Sequence, residues 1–316
     1  MKALALLFLG LAVFAPRASA APILLQSGYS LTRVAQGATA LDGLAVGDDG
    51  FVYVTDYGAG RLLRADQNAV NGTFDLLASG LANPTDVART PDGRLFVTES
   101  LTGRLTEITS GGGKSILGVG FDTGTSVVFF DGNLIVTNSS PGTITSTDLS
   151  GATATLFSGI IYPYGATVAS DGTLYYIEFG TGEIKQSDLA GASPATVASG
   201  AAFGLQFLAL SPAGSLFVSD PLTATLYQVL GTQLSPFASG FMGKNALPVA
   251  GPTGIGFNSS GSLFISDGPE LWRIDAPQPV PEPGSLLLFG AGLAFLTVRR
   301  SYRRASSVPL CSSRWR

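Results

Sequence analysis

Asp49-Gly50-Phe51-Val52-Tyr53-Val54-Thr55-Asp56 is the stretch from which the fold can be read. An Asp-Gly pair supplies the positive φ of a tight hairpin turn. The run after it is rich in β-branched and aromatic residues, as a strand should be. The unit returns five times. Asp92-Gly93 precedes Leu95-Phe96-Val97-Thr98-Glu99, Asp131-Gly132 precedes Leu134-Ile135-Val136-Thr137-Asn138, and Asp171-Gly172 precedes Leu174-Tyr175-Tyr176-Ile177-Glu178. Ala213-Gly214 then precedes Leu216-Phe217-Val218-Ser219-Asp220, and Ser260-Gly261 precedes Leu263-Phe264-Ile265-Ser266-Asp267. The turn glycines follow one another at intervals of 43, 39, 40, 42 and 47 residues. A period near 40 built from short strands is a propeller period. Six copies predict an all-β, six-bladed β-propeller over residues 21–275.

A second motif marks the outer strand of a blade: Leu77-Ala78-Ser79-Gly80, Phe157-Ser158-Gly159, Val197-Ala198-Ser199-Gly200 and Phe237-Ala238-Ser239-Gly240. Another copy, Leu31-Thr32-Arg33-Val34-Ala35-Gln36-Gly37, comes before the first full repeat, while the sixth repeat ends at Ile274-Asp275 without one. The ring is therefore expected to close by lending the N-terminal strand to the last blade, which removes an exposed sheet edge.

The two ends read as export signals. Lys2, an apolar run over residues 3–14 and the small-residue site Ala18-Ser19-Ala20 have the pattern of a signal peptide over residues 1–20, cleaved after Ala20. At the other end, residues 276–283 form a proline-rich linker containing Pro281-Glu282-Pro283. An uncharged run over residues 284–298 follows, and then Arg299-Arg300-Ser301-Tyr302-Arg303-Arg304. The run would span roughly 22 Å as a helix, short of a ~30 Å hydrocarbon core, but arginine clusters stay on the cytoplasmic side. Residues 284–304 are thus expected to be a single transmembrane anchor, with 305–316 a tail.

The eight basic residues at the two ends leave ten Lys+Arg against 22 Asp+Glu in between, a body near −12. Such a charge excludes nucleic acid as a partner. The sole cysteine, Cys311, lies in the tail, so the body holds no disulfide. The chain has no histidine, which removes His-based triads and His-ligated metal centres.

The Pro-Glu-Pro block, apolar run and arginine cluster together resemble the PEP-CTERM sorting signal of Gram-negative bacteria. That resemblance implies export, a transient stay in the inner membrane, recognition of Pro281, Glu282, Pro283, Arg299 and Arg300 by an exosortase, and delivery to the cell surface or extracellular matrix. The repeats resemble the NHL and SMP-30/gluconolactonase-like propellers, and within them the ScyD/ScyE-type proteins.

One polar position ends the same strand in every repeat: Asp56, Glu99, Asn138, Glu178, Asp220 and Asp267. In a closed ring these would share one face around the channel mouth, and Glu99, Asn138, Glu178, Asp220 and Asp267 form a candidate set for Ca²⁺ or Mg²⁺. The same residue type at a strand end also caps the following loop. The gluconolactonase resemblance implies a Glu, Asn and Asp set around a divalent ion and hence a lactonase. The repetition of the residues implies blade architecture, with no unique catalytic centre. Tyr29, Tyr57, Tyr162, Tyr164 and Phe179 are candidates for stacking on a carbohydrate. Gly111-Gly112-Gly113-Lys114-Ser115 lacks the spacing of a phosphate loop and reads as a hairpin turn. The expectation is an exported binding or scaffold propeller for a polysaccharide or small molecule. The alternatives are a metal-dependent lactonase or an accessory protein of secondary-metabolite synthesis.

Overall fold

The structure, a computed structural model, describes residues 21–109, 111–191, 193–200, 204–242 and 251–277. The expected signal peptide with Ala18 and Ala20, the Pro281-Glu282-Pro283 block, the apolar run and Arg299 and Arg300 lie outside the described residues. The chain divides at Ala276/Pro277, and the propeller belongs to the first unit.

All regular elements among the described residues are strands, arranged as six sheets. From the channel outward, blade 1 is Leu41–Val46, Phe51–Asp56, Arg61–Asp66 and Asp75–Ser79. Blade 2 is Pro84–Arg89, Leu95–Glu99, Arg104–Ile108 and Lys114–Val119. Blade 3 is Gly124–Phe130, Asn133–Asn138, Thr143–Asp148 and Thr153–Ser158. Blade 4 is Pro163–Val168, Leu174–Glu178, Glu183–Ser187 and Ala195–Ala198. Blade 5 is Leu208–Leu210, Leu216–Asp220, Thr225–Leu230 and Gln233–Ser239. Blade 6 is Ile255–Phe257, Leu263–Asp267 and Glu270–Asp275, completed by Ser30–Gln36.

The ring closes as the misplaced outer-strand motif requires. Ser30 stands opposite Asp275 and Gln36 opposite Glu270 in an antiparallel pair. The N-terminal segment also does more than the sequence indicates. Ile23–Leu24 adds a short fifth strand to blade 5, and Gly72–Thr73 of blade 1 runs parallel to Ser30–Gln36. One segment thus ties three consecutive blades together. The turn glycine Gly50 has φ +87° and Gly261 has φ +88°, the conformation an Asp-Gly or Ser-Gly hairpin needs. Gly112 and Gly113 lie in the turn into Lys114–Val119, as the hairpin reading expects, and Lys114 Nζ donates to the carbonyls of Ser79 and Gly80 across the seam.

The core is divided into six sectors, one at each seam between neighbouring blades. At the seam of blades 1 and 2, Tyr53, Leu62 and Ala78 meet Val87, Leu95 and Val97. At the next seam, Phe96 and Leu105 meet Val127, Leu134 and Val136. Successive side chains of a strand face opposite ways, so Leu95 and Val97 fill one seam and Phe96 the other. This is why the second strand of each blade reads as an almost unbroken apolar run: both of its faces are buried. Each such side chain contributes about 1.5–3 kcal/mol.

Candidate functional site

The inner strands enter the channel through a shared irregularity. In blade 1, Leu41 pairs with Asp56 and Leu44 with Val54, so two residues oppose Thr55. Thr85 is the extra residue in blade 2 and Thr125 in blade 3, and blade 4 has the same shift between Pro163 and Ala166. A bulge re-aims a side chain. Here it turns Asp42, Thr85, Thr125 and Tyr164 towards the channel, where Gln206 and Thr253 complete the circle. A cavity of about 270 Å³ lies at this mouth, lined from all six blades.

Three of these six positions are threonine, and each ties its blade to the next. The Thr85 hydroxyl donates to the Gly124 carbonyl at 2.7 Å, Thr125 to Pro163 at 3.2 Å and Thr253 to Leu41 at 3.2 Å. A second hydroxyl stands just before the strand-end polar position. Thr55 donates to the Thr85 carbonyl at 3.2 Å, and Thr98 accepts from the Asp86 N–H at 3.1 Å. This belt of threonines is structural. Asp42, Tyr164 and Gln206 are where the circle departs from it.

Tyr164 packs against Phe179, ring centroids 5.6 Å apart, and edge-on against Phe207 at 6.4 Å. Burial pushes its phenol up, with the charge of Asp42 and the phenol of Tyr57 adding to the effect. The hydroxyl of Tyr57 accepts from the Asn83 carboxamide at 3.1 Å. Gln206 holds the neighbouring strand through its carbonyl, which accepts from the Gly165 N–H at 2.7 Å, while its buried side-chain Oε1 has no partner among the described residues. Tyr162 is exposed on the loop entering blade 4, and Tyr29 lies away from the mouth, against Phe237 of blade 5.

Below the mouth the inner strands of neighbouring blades crowd together to form a waist. Gly43 is required there, since a Cβ would stand 2.7 Å from the Asp86 Cα. Asp86 is buried at the waist. One carboxylate oxygen accepts from the Ser126 hydroxyl and the Val127 N–H, each at 2.9 Å, and the other accepts from the Val87 N–H at 2.9 Å. Burial nevertheless pushes its pKa up to about 7. The three hydrogen bonds pull it down, and the charge of Asp42 adds to the rise.

The strand-end residues are placed differently. None of Asp56, Glu99, Asn138, Glu178, Asp220 and Asp267 lines the mouth cavity. The residues one position later do, as Tyr57, Ser100, Ser139 and Pro221. Asp56 accepts from the N–H groups of Thr39 and Ala40 and pairs with Arg61. Glu99 accepts from Ala82 N–H at 2.6 Å and from the Thr106 hydroxyl. Glu178 accepts from Ile161 N–H at 2.9 Å and lies 3.5 Å from the Lys185 ammonium. Asp267 accepts from Met242 N–H at 3.0 Å. Asp220 accepts from the N–H groups of Leu222 and Thr223, and Asn138 donates to the hydroxyls of Thr143 and Thr145. Among the described residues no three Asp, Glu, His or Cys side chains come together as a metal-binding group. Among the described residues the mouth offers one carboxylate, Asp42, together with hydroxyls and an amide. That donor set does not fit the three-residue divalent centre implied by the lactonase resemblance.

Both the C-terminal segment and the propeller have counterparts among known proteins. Residues 279–304 match the PEP-CTERM protein-sorting motif. That motif implies export, anchoring in the membrane before processing, and processing by an exosortase-type enzyme. The propeller is similar to a gluconolactonase from Xanthomonas campestris, with 17% identity, a TM-score of 0.66, and 82% of this chain and 95% of that chain covered. It is also similar to a streptogramin B lyase, with 13% identity, a TM-score of 0.60 and coverage of 78% and 97%. Virginiamycin B lyase from Staphylococcus aureus is similar too, with 16% identity, a TM-score of 0.57 and coverage of 80% and 90%. At these identities the likeness is one of fold. No curated protein matches the chain in sequence. No helix among the described residues is long and apolar enough to cross a membrane, and residues 284–304 are not among them.

Proposed function

We propose that this chain is an exported, six-bladed binding propeller that holds a small polar molecule at the channel mouth. A signal peptide over residues 1–20 would start it on its route, and the segment 284–304 would anchor it until processing releases it to the cell surface or matrix. The observation that carries the reading is the departure of Asp42, Tyr164 and Gln206 from the threonine belt. The repeat places an architectural threonine at three of the six mouth positions, and the other three carry groups that can recognise a ligand. Asp42 and the unpartnered Oε1 of Gln206 accept hydrogen bonds, Tyr57 and Tyr164 present phenols, and the surrounding serine and threonine hydroxyls do both. A neutral or cationic molecule rich in hydroxyl or amine groups fits this inventory.

The strand-end ring belongs, in this reading, to blade architecture. Its carboxylates satisfy backbone N–H groups at the loops and turns of that face. A metal-dependent lactonase is the reading suggested by the fold relatives, and the single mouth carboxylate gives it no support.

The test is a ligand-observed NMR screen of polyols, amino alcohols and small lactones against the full-length protein and its Tyr164→Phe and Gln206→Ala variants. Binders that compete with one another and are lost in both variants, at an unchanged melting temperature, support the mouth as the site. A screen in which no compound distinguishes the variants from the parent refutes it.

A further inference from the structure

A second cavity lies at the opposite end of the strands, in the seam between blades 5 and 6, and has a volume of about 370 Å³. It is the counterpart of a cleft of about 380 Å³ between blades 1 and 2. The strand registers make the two comparable residue by residue. Tyr53 pairs with Arg64 in one, and Phe217 with Gln228 in the other. Leu77 and Phe237 each precede the alanine of the outer strand, and Asp92 and Ser260 each precede the turn glycine.

The chemistry of the two clefts is opposite. The cleft between blades 1 and 2 is charged and self-satisfied: Arg94 is bidentate to Glu107 at 2.7 and 3.0 Å, and Arg64 pairs with Asp75 at 3.2 Å while lying over Phe51. Among the described residues no side chain lining the cleft between blades 5 and 6 is charged, although the body is strongly acidic. Blades 5 and 6 are also the two whose turns have lost the aspartate of the Asp-Gly repeat, to Ala213 and Ser260. In place of charge there is a ladder of rings. Tyr29 meets Phe237 at 5.0 Å, Phe237 meets Phe217 at 5.1 Å and Phe217 meets Phe257 at 5.2 Å, all edge to face. The middle two rings are buried, and Tyr29 and Phe257 at the ends are partly open. Around them stand the hydroxyls of Ser215 and Ser259 and the carboxamide of Gln228, none of which is hydrogen-bonded within the described protein.

We propose that this seam cleft is a binding site for a neutral pyranose, either a free sugar or a unit of a glycan chain. The flat, weakly polar face of a sugar ring packs on an aromatic ring, and its hydroxyls need uncharged donors and acceptors at the edge. The cleft supplies both, and excludes the charges that would favour an ionic ligand. The site is independent of the channel mouth, since its turns lie at the other ends of the strands.

The experiment titrates methyl glycosides of glucose, galactose and mannose, and the matching trisaccharides, into the full-length protein by ligand-observed NMR. At least one neutral glycoside binds. Gln228→Arg combined with Ser260→Asp places in this cleft the residues that its counterpart already carries. That variant weakens binding at least about tenfold at an unchanged melting temperature, and Tyr29→Ala weakens it by a similar factor. Trisaccharide binding well above that of the monosaccharide identifies a glycan chain as the source, and equal binding identifies a free sugar. No binding of any glycoside at tens of millimolar overturns the proposal. So does binding that survives the charged graft, loss of binding in Tyr164→Phe, which would move the sugar to the mouth, or a preference for planar phenols over every sugar tested.

Discussion

Raising the pH from 5 to 8 should weaken the propeller through one residue, Asp86. Its carboxyl is buried at the channel waist, and its pKa stands at about 7 in the folded chain against 3.8 in the unfolded one. Burial is the main cause and outweighs the three hydrogen bonds from Val127, Ser126 and Val87. A carboxyl whose folded-state pKa is raised binds its proton more tightly in the native state. The stabilisation is therefore complete below the unfolded value and is lost as pH rises through about 7. At about 1.4 kcal/mol per pH unit, the full swing is about 4 kcal/mol, of which about 2.5 kcal/mol falls between pH 5 and pH 8. The chain has no histidine, so no other side chain with an ordinary pKa titrates in that window. Urea unfolding of the full-length protein at half-unit steps should show the loss directly, and thermal scans should show a drop of roughly 5 °C for a domain of this size. Asp86→Asn keeps the shape and removes the titration, so its profile should be flat whatever its absolute stability. A flat profile in the parent, or the same slope in the variant, would refute the reasoning.

The other expectations concern architecture and sorting. Gly43→Ala drives a Cβ to 2.7 Å from the Asp86 backbone and should cost about 3 kcal/mol by denaturant unfolding, with no effect if the waist is looser than described. Glu99→Ala leaves the Ala82 N–H without its acceptor and should cost about 1–3 kcal/mol. The parent should meanwhile melt at the same temperature in chelator and in millimolar Ca²⁺ or Mg²⁺. A cation-dependent rise abolished by this substitution would instead make the strand-end ring a metal site. Deleting residues 29–37 removes the closing strand and should abolish cooperative unfolding, which circular dichroism would detect. Replacing Pro281-Glu282-Pro283 by alanines should leave unprocessed chain in the membrane fraction of cells, and normal processing would count against the sorting role.

The blade repeat was legible because a propeller strand has local requirements. A glycine must take the positive φ of the turn, as Gly50 and Gly261 do, and the strand beside it must be apolar on both faces, as Leu95, Phe96 and Val97 are. The closing strand was legible for a similar reason: an outer-strand motif stood at the wrong end of the chain. The mouth was not. Periodicity places Asp56 and Glu99 at equivalent points but does not say which way their side chains turn. The functional candidates lie one residue on, at Tyr57 and Ser100, and on bulges at Asp42 and Tyr164. A signal did exist, since Asp42, Tyr164 and Gln206 break a threonine pattern kept by Thr85, Thr125 and Thr253, but it is visible only once the bulges set the alignment.

The sequence by itself determined the number of blades, the closure of the ring and the sorting signal at the end of the chain, because each depends on residues that are neighbours in the chain or recur at a fixed interval. The tertiary structure alone decided which polar groups face the channel, which carboxyl is buried at its waist, and which seam is left without charge. Those properties arise where separate blades meet. A bulge of one residue, or the approach of a neighbouring backbone to Gly43, changes them without altering the repeat.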